Sequence, residues 1–236
     1  MDYLITANLG GYQPQLPILE KRDIDGIAIV DEFYTGGSNG WVLLETQYLK
    51  AGSGPLERID FIRESRRAKM MPEVFFPFEE GDRHVYVDSA FIPDDPKKAL
   101  DAYLIDRRDM GLFRHPRRQN PREEISALTH AERRLLNHEE ACRAVCMWED
   151  RNFSYMEVPM HIGGVLFRRH NDAVRAFNER WWDNFLHLEL ERDQLTLDLS
   201  LWEIINTRGL DVVSWDVNYH FDRGWGFTYV PKTRRK

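Results

Sequence analysis

Several residues that can bind a phosphorylated ligand stand at the ends of short apolar runs. Asn8 closes one run, Asp31 closes a second and Asp88 closes a third. In open α/β sheets, ligands bind beyond the carboxyl ends of the strands, so these residues would lie together at one edge. A carboxylate such as Asp88 can hold a divalent ion against a diphosphate, or it can simply cap a turn. The pattern predicts a ligand site without naming its reaction.

Basic side chains recur every three residues between Ile59 and Met71, where the sequence favours a helix that Pro72 ends. They are Arg63, Arg66 and Lys69. This spacing places them along one slowly turning helix face, where forked and point charges can meet a polyphosphate. A solvated basic face is the alternative interpretation, and it is the commoner use of such a pattern.

Two further segments each allow a structural and a functional interpretation. His115, beside a proline after a short apolar run, can contact a sugar hydroxyl or phosphate, or serve as a structural hydrogen-bonding residue. Gly163 and Gly164 open another apolar run, where paired glycines permit close approach of a ligand or form a bulge.

Asp193 and Gln194 stand immediately before a segment with helical character. Local sequence favours Asp193 as the N-terminal cap of that helix. The same carboxylate can accept hydrogen bonds from sugar hydroxyls, or act as a base toward an attacking hydroxyl.

The elements that must position these residues alternate between strands and helices. The sequence predicts strands at 2–7, 24–30, 84–88, 110–113, 162–167 and 210–215, and helices at 59–71, 96–105, 122–150, 172–190 and 193–205. This alternation is typical of an α/β domain with a mostly parallel sheet. Because no repeat or linker interrupts it, we predict a single domain over residues 1–236.

Composition excludes several classes of protein. The hydrophobic fraction of 42% supports a sizeable core, and a net charge of −7 offers no built-in attraction to nucleic acid or anionic membranes. A basic cluster at 232–236 is interpreted as a solvated terminus.

The sequence contains no phosphate-binding loop, nucleophile elbow or dinucleotide fingerprint. With no secretory signal or apolar run long enough to span a bilayer, we expect a cytoplasmic location.

Seven motifs, taken in order, resemble a family of glycosyltransferase-like proteins. This family was long catalogued as a domain of unknown function, with plant mucilage-type and bacterial capsular-polysaccharide-type members. The similar segments cover about residues 3–200: ITANLGGY at 5–12, DIDGIAIVD at 23–31, RxxRxxKMMP at 63–72, VYVDS at 85–89 with Asp95-Pro96, His115-Pro116 with Glu123-Glu124, VLFRRHN at 165–171 and RDQL at 192–195.

The resemblance implies a GT-A-like, Rossmann-like fold and a nucleoside-diphosphate-sugar donor. It divides the domain into a nucleotide-sugar-binding half at 1–95 and an acceptor- and sugar-binding half at 96–236. The implied donor-binding residues are Thr6, Ala7, Asn8, Gly11, Tyr12, Asp31, Arg63, Arg66, Lys69, Asp88, Gly163 and Gly164. The residues expected around the transferred sugar and acceptor are His115, Asp193 and Gln194.

The resemblance also implies a divalent cation, Mn²⁺ or Mg²⁺, with Asp88 and His220 as candidate ligands. This chain departs from the usual metal-binding pattern, because Ala90 stands where a second carboxylate is expected. We therefore expect a hexosyl- or pentosyltransferase acting on a glycan or polysaccharide hydroxyl. A decayed, non-catalytic nucleotide- or glycan-binding module and a nucleotidyltransferase are the alternatives. A nucleic-acid acceptor stays open, as does the choice between inversion, with Asp193 as base, and retention.

Overall fold

A computed structural model describes residues 1–9, 15–19, 24–46, 58–88, 91–104, 107–130, 136–189, 191–216 and 227–229. Within them, seven strands form one sheet: β1 Asp2–Asn8, β2 Asp25–Val30, β3 Val42–Glu45, β4 Arg83–Val87, β6 Met110–Arg114, β7 His161–Arg169 and β8 Val212–Asp216. Their spatial order is β3-β2-β1-β4-β7-β6-β8. The short strands β5 Phe91–Pro93 and β9 Phe227–Tyr229 pair separately and antiparallel.

The direction of each strand decides which residues meet at the site. β1 pairs in parallel with both β2 and β4, β2 with β3, and β6 with β8. β7 runs antiparallel to its neighbours β4 and β6. The carboxyl ends of β1, β2, β4 and β6 therefore share one edge with the beginning of β7.

Six helices are described: α1 Arg58–Met70, α2 Pro96–Tyr103, α3 Pro121–His130, α4 His138–Asp150, α5 Asp172–Leu188 and α6 Gln194–Arg208. Helices α1, α5 and α6 bury apolar side chains against one sheet face, and α2 packs on the other. Strands β1, β2 and β4 are almost continuously buried, as expected for strands covered on both faces. The predicted fold class is confirmed: one α/β domain with a mostly parallel central sheet flanked by helices.

The structure corrects one predicted element. The segment 122–150 is two helices, because Asn137 starts α4 with a capping box in which its side chain accepts from the Glu140 N–H and Glu140 accepts from the Asn137 N–H.

None of the helices described combines the length and apolar character that crossing a membrane requires. The candidate residues Gly11, Tyr12 and His220, together with Ala90 and the basic cluster at 232–236, lie outside the described residues.

Candidate functional site

Polar residues collect at the shared sheet edge because three parallel strands end there. Asn8 is the last residue of β1 and is buried, while Asp31 and Asp88 directly follow β2 and β4. The backbone N–H of Asp88 donates to the carbonyl of Gly164 in β7 (2.8 Å). This hydrogen bond holds the end of β4 against the first half of β7. The Asp88 side chain is about one third exposed.

Helix α1 places two of the predicted cations beside these strand ends. Lys69 is almost completely buried, with its Nζ 3.9 Å from Asp88 Oδ1 and 2.5 Å from Asp193 Oδ2. One turn earlier, Arg66 Nε lies 3.0 Å from Asp193 Oδ1. Arg63, a further turn away, is exposed. The cation in closest contact with the carboxylates is therefore also the most deeply buried of the three.

Asp193 joins the N-terminal end of α6 to this cluster. Its side chain makes no capping hydrogen bond, so the cap that local sequence favours is wrong for the side chain. Burial would raise the pKa of its carboxyl, but Arg66 and Lys69 outweigh that cost and hold the pKa at about 2. Trp181 donates its indole N–H to the Asp193 carbonyl (3.1 Å) and its ring lies 5.7 Å from Lys69 Nζ. Asp193 is thus a buried, ionised group at neutral pH.

Gln194 and the glycine pair of β7 lie next to the cluster formed by Lys69, Asp88 and Asp193. The Gly163 N–H donates to Gln194 Oε1 (3.0 Å), and Gln194 Nε2 donates to the carbonyl of His161. Residues 163–165 are skipped in the pairing between β6 and β7, which confirms a bulge. A Cβ on Gly163 would lie 3.0 Å from Lys69 Nζ. The bulge interpretation is therefore supported. The close approach of a ligand stays a prediction, because the group nearest to Gly163 here is the Lys69 side chain.

Three other predicted residues have visible local roles. Thr6 donates its hydroxyl to the Val87 carbonyl (2.9 Å) and so ties β1 to β4. Asp31 accepts the N–H of Phe33 (3.1 Å). His115 follows β6 at the same edge, and its Nδ1 accepts the N–H groups of Arg117 and Arg118 (both 3.0 Å). Burial lowers the pKa of His115, and the two arginines add to that effect. The structural interpretation of His115 accounts for these contacts.

The described residues contain no cluster of three or more His, Cys, Asp or Glu side chains that could hold a metal ion. They do provide Asp88, partly exposed at the strand end. Mg²⁺ commonly binds through one or two protein carboxylates together with substrate phosphates and water. A single carboxylate such as Asp88 fits that mode, in which phosphate groups of a ligand and water complete the coordination.

Sequence reasoning missed a second set of polar residues in the same region: His161, Asp198 and Ser214, which are joined by hydrogen bonds. They lie 37 and 53 positions apart along the chain, so no local motif links them. It also missed Phe33, which is about half exposed and packs edge-to-face on Phe61 of α1 at 5.6 Å. The sequence signal available was an aromatic residue two positions after Asp31, at the start of a segment rich in polar residues and glycine.

No family model matches this sequence, and no curated protein matches it. Solved structures do match. A galactosyltransferase LgtC bound to donor and acceptor sugar analogues is 13% identical over 91% of this chain and 73% of its own, with a TM-score of 0.47. Mouse xyloside xylosyltransferase 1 is 11% identical over 99% and 95%, with a TM-score of 0.49. GlyE of Streptococcus pneumoniae TIGR4 is 13% identical over 95% and 49%, with a TM-score of 0.47.

Proposed function

We propose that this protein is a glycosyltransferase that moves a hexose or pentose from a nucleoside-diphosphate sugar to an acceptor hydroxyl, on a glycan or polysaccharide. The observation that carries the proposal is the convergence of Arg66, Lys69, Asp88, Asp193 and Gln194 at the carboxyl edge of the sheet. Phosphate-binding cations and sugar-binding polar groups are thereby supplied side by side.

The cationic face of α1 is suited to the diphosphate. Departure of the nucleotide leaves charge on its phosphate, and fixed cations in a site of low water content stabilise that charge. In this proposal Arg66 and Lys69 perform that role, with Arg63 reaching the outer phosphate. Asp88 would hold a divalent ion with the diphosphate, and the ion would neutralise charge on the leaving group. Two cations and two carboxylates already balance one another in the described cluster, so an anionic donor would benefit from further positive charge.

Asp193 is better suited to positioning than to proton abstraction. A general base works best when its pKa lies near the working pH, whereas ion pairs hold the pKa of Asp193 at about 2. We propose that Asp193 orients sugar hydroxyls together with Lys69. The Gln194 amide is fixed by its two hydrogen bonds to β7, and in this proposal it faces the reacting sugar. His115 borders the acceptor side. In this assignment Asp193 is not the general base, which is the role that an inverting mechanism would require of it.

The nucleotide base would bind nearer the end of β2. The predicted donor residues in this half of the proposal are Asn8, Asp31, Thr6, Ala7, Gly11 and Tyr12. Phe33 offers an exposed ring beside Asp31, and aromatic stacking is worth about 1–3 kcal/mol per base. The donor would therefore extend from Phe33, past α1, to Gln194.

A thermal-shift panel of nucleoside diphosphates and their sugars, with and without Mn²⁺, tests the proposal. A donor at 100 times its Kd should stabilise the fold by about 2.7 kcal/mol. Arg66→Met should weaken that shift, while Arg143→Met, at an exposed site on α4, should leave it unchanged. Release of nucleoside diphosphate with an acceptor or water then demonstrates catalysis. Absence of any nucleotide-dependent shift would contradict the proposal.

The two alternatives give different outcomes in the same assays. A non-catalytic module would show the nucleotide-sugar shift without releasing nucleoside diphosphate. A nucleotidyltransferase would release pyrophosphate from a nucleoside triphosphate and a sugar phosphate.

A further inference from the structure

Three buried or half-buried polar side chains form a continuous hydrogen-bonded chain beside the proposed sugar site. His161 Nδ1 lies 2.6 Å from Asp198 Oδ1, and His161 Nε2 lies 2.6 Å from the hydroxyl of Ser214. His161 begins β7, Asp198 lies in α6 and Ser214 lies in β8. The chain therefore ties a helix to two strands at the end of the sheet that holds the site.

Asp198 sets the direction of these hydrogen bonds. Its carboxylate accepts from both the ring and the main chain of His161, since the His161 N–H donates to Oδ2 (3.2 Å). A carboxylate oxygen that accepts from the ring requires a proton on Nδ1. In the neutral ring with that proton, Nε2 is an acceptor to which the Ser214 hydroxyl can donate. Every polar group of the His161 ring is satisfied in one tautomer.

The main chain of His161 leads directly to the sugar site. Its carbonyl accepts from Gln194, which lies one helical turn before Asp198 in α6 and also accepts the Gly163 N–H (3.0 Å). Gln194 and Asp198 thus both hydrogen-bond to the beginning of β7. Asp198 accepts from the main chain and ring of His161, and Gln194 bonds the His161 carbonyl and the Gly163 N–H. The space between Gly163 and the side chains of Lys69 and Gln194 is narrow. A Cβ on Gly163 would lie 3.0 Å from Lys69 Nζ and 3.5 Å from Gln194 Oε1.

We propose that Asp198, His161 and Ser214 are positioning residues for sugar transfer, which fix the Gln194 amide and the bulged β7 backbone against Lys69. This inference rests on the proposed glycosyltransferase function and assigns the three residues no contact with substrate. Displacing a reacting group by about 1 Å can cost about 100-fold in rate. The side chains that bind the diphosphate, Arg66 and Lys69, lie outside this hydrogen-bonded chain, so donor affinity and turnover should respond differently.

Asp198→Asn tests the direction of the hydrogen bonds while keeping the side-chain volume. The amide offers one acceptor where the carboxylate offers two, so the His161 ring must either carry its proton on Nε2, which reverses its hydrogen bond with Ser214, or move. We expect kcat for transfer to fall about 10- to 100-fold, while the Kd of the nucleoside diphosphate stays within about twofold. The ¹⁵N imidazole spectrum should show His161 protonated on Nδ1 in the wild-type protein and a changed signal in the variant.

Ser214 provides a second pair of variants, which keeps the inference testable where Asp198→Asn does not fold. Ser214→Ala should lower kcat, and Ser214→Thr, which retains the hydroxyl, should restore it. Unchanged kcat in Asp198→Asn or Ser214→Ala would overturn the inference. So would parallel losses of kcat and nucleotide affinity, because they would indicate general structural damage.

Two outcomes separate this inference from its premise. A wild-type protein that neither binds a nucleotide nor transfers a sugar removes the proposed function and the inference with it. A wild-type enzyme that transfers normally, with variants that do the same, removes the inference alone. The order Asp-His-Ser also occurs in nucleophilic triads, so covalent labelling of Ser214 by a fluorophosphonate, lost in Ser214→Ala, would replace positioning with a nucleophilic role.

Discussion

The two ends of β4 carry buried polar clusters that treat charge in opposite ways. At its carboxyl end, Lys69 and Asp193 pair at 2.5 Å, and the neighbouring cations keep the Asp193 carboxyl ionised. At its amino end, His84 and His170 contact each other at 3.2 Å. Phe78 stacks on His170, with their ring centroids 4.0 Å apart. One cluster thus keeps its charges through opposite partners, whereas the other combines two imidazoles with an aromatic ring.

The electrostatics of the histidine cluster follow from that composition. Burial lowers the pKa of His170 to about 4, and the neighbouring Arg168 adds to the effect. Burial also lowers the pKa of His84 well below its usual range, and the neighbouring His170 and Arg168 add to the effect. Both imidazoles are therefore neutral at pH 7. The comparison shows two ways of stabilising buried polar side chains: opposite charges pair at one end of β4, and the imidazoles are neutral at the other.

Arg168 connects the two ends. Its guanidinium is fully buried, lies 5.8 Å from the Trp181 ring and donates to the Lys69 carbonyl (2.8 Å). Burial lowers its pKa to about 10, although Glu73 and Tyr86 oppose the shift. Arg168 remains charged at neutral pH and stabilises the last turn of α1. The histidine cluster is thereby adjacent to the backbone that presents Lys69.

The largest expected effect comes from breaking the ion pair. Asp193→Asn leaves Lys69 buried without its closest carboxylate, and such a loss typically costs about 3–5 kcal/mol. We expect that decrease in the free energy of unfolding, measured by urea titration, together with loss of sugar transfer. The matched control is Asp172→Asn, which breaks an exposed ion pair with Arg175 and should change stability little. A variant as stable as the wild-type protein would show that the pair contributes nothing net.

Acid should weaken the two clusters in different pH windows. A histidine whose folded-state pKa is lowered contributes full stability above its unfolded value of 6.5, and that stability declines toward pH 4 because the unfolded chain binds the proton first. For His170 the full loss is about 3 kcal/mol. Asp193 acts later, because its contribution declines only from about pH 3.8 toward pH 2. Urea unfolding at pH 7 and pH 4.5 measures the first window.

The variant His170→Gln isolates the histidine contribution. Glutamine does not titrate, so the fall in stability between pH 6.5 and 4.5 should become shallower than in the wild-type protein. An unchanged slope would assign that window to other groups. The decrease between pH 4 and pH 2 should persist in this variant, because Asp193 contributes to it and keeps its ion pairs.

The sheet was predictable because each of its longer strands is an apolar run with a polar residue at its end. Asn8, Asp31 and Asp88 could be placed at one edge from that pattern. β3 was missed because it has only four residues and lies at the sheet border. The break before α4 was detectable, since Asn137 followed by Glu140 is a capping-box sequence.

The site itself was only partly predictable, because long-range contacts override local preference. Asp193 has the sequence position of a helix cap, yet its side chain pairs with Lys69, 124 residues away. The His161–Asp198–Ser214 chain has no local signature either. Residue types could therefore name candidates, while their partners required the fold.

The smallest expected effect sharpens the comparison at the Lys69 end. In Gly163→Ala the new methyl group would stand 3.0 Å from Lys69 Nζ, so the side chain must shift by a few tenths of an ångström. We expect a stability loss of about 1 kcal/mol and donor binding weakened by up to about tenfold. Gly37→Ala is the control, since its methyl would make an ordinary contact 3.6 Å from Asn39 Oδ1. Equal donor affinity in both variants, measured by calorimetric titration, would show that Lys69 does not require its present position to bind the diphosphate.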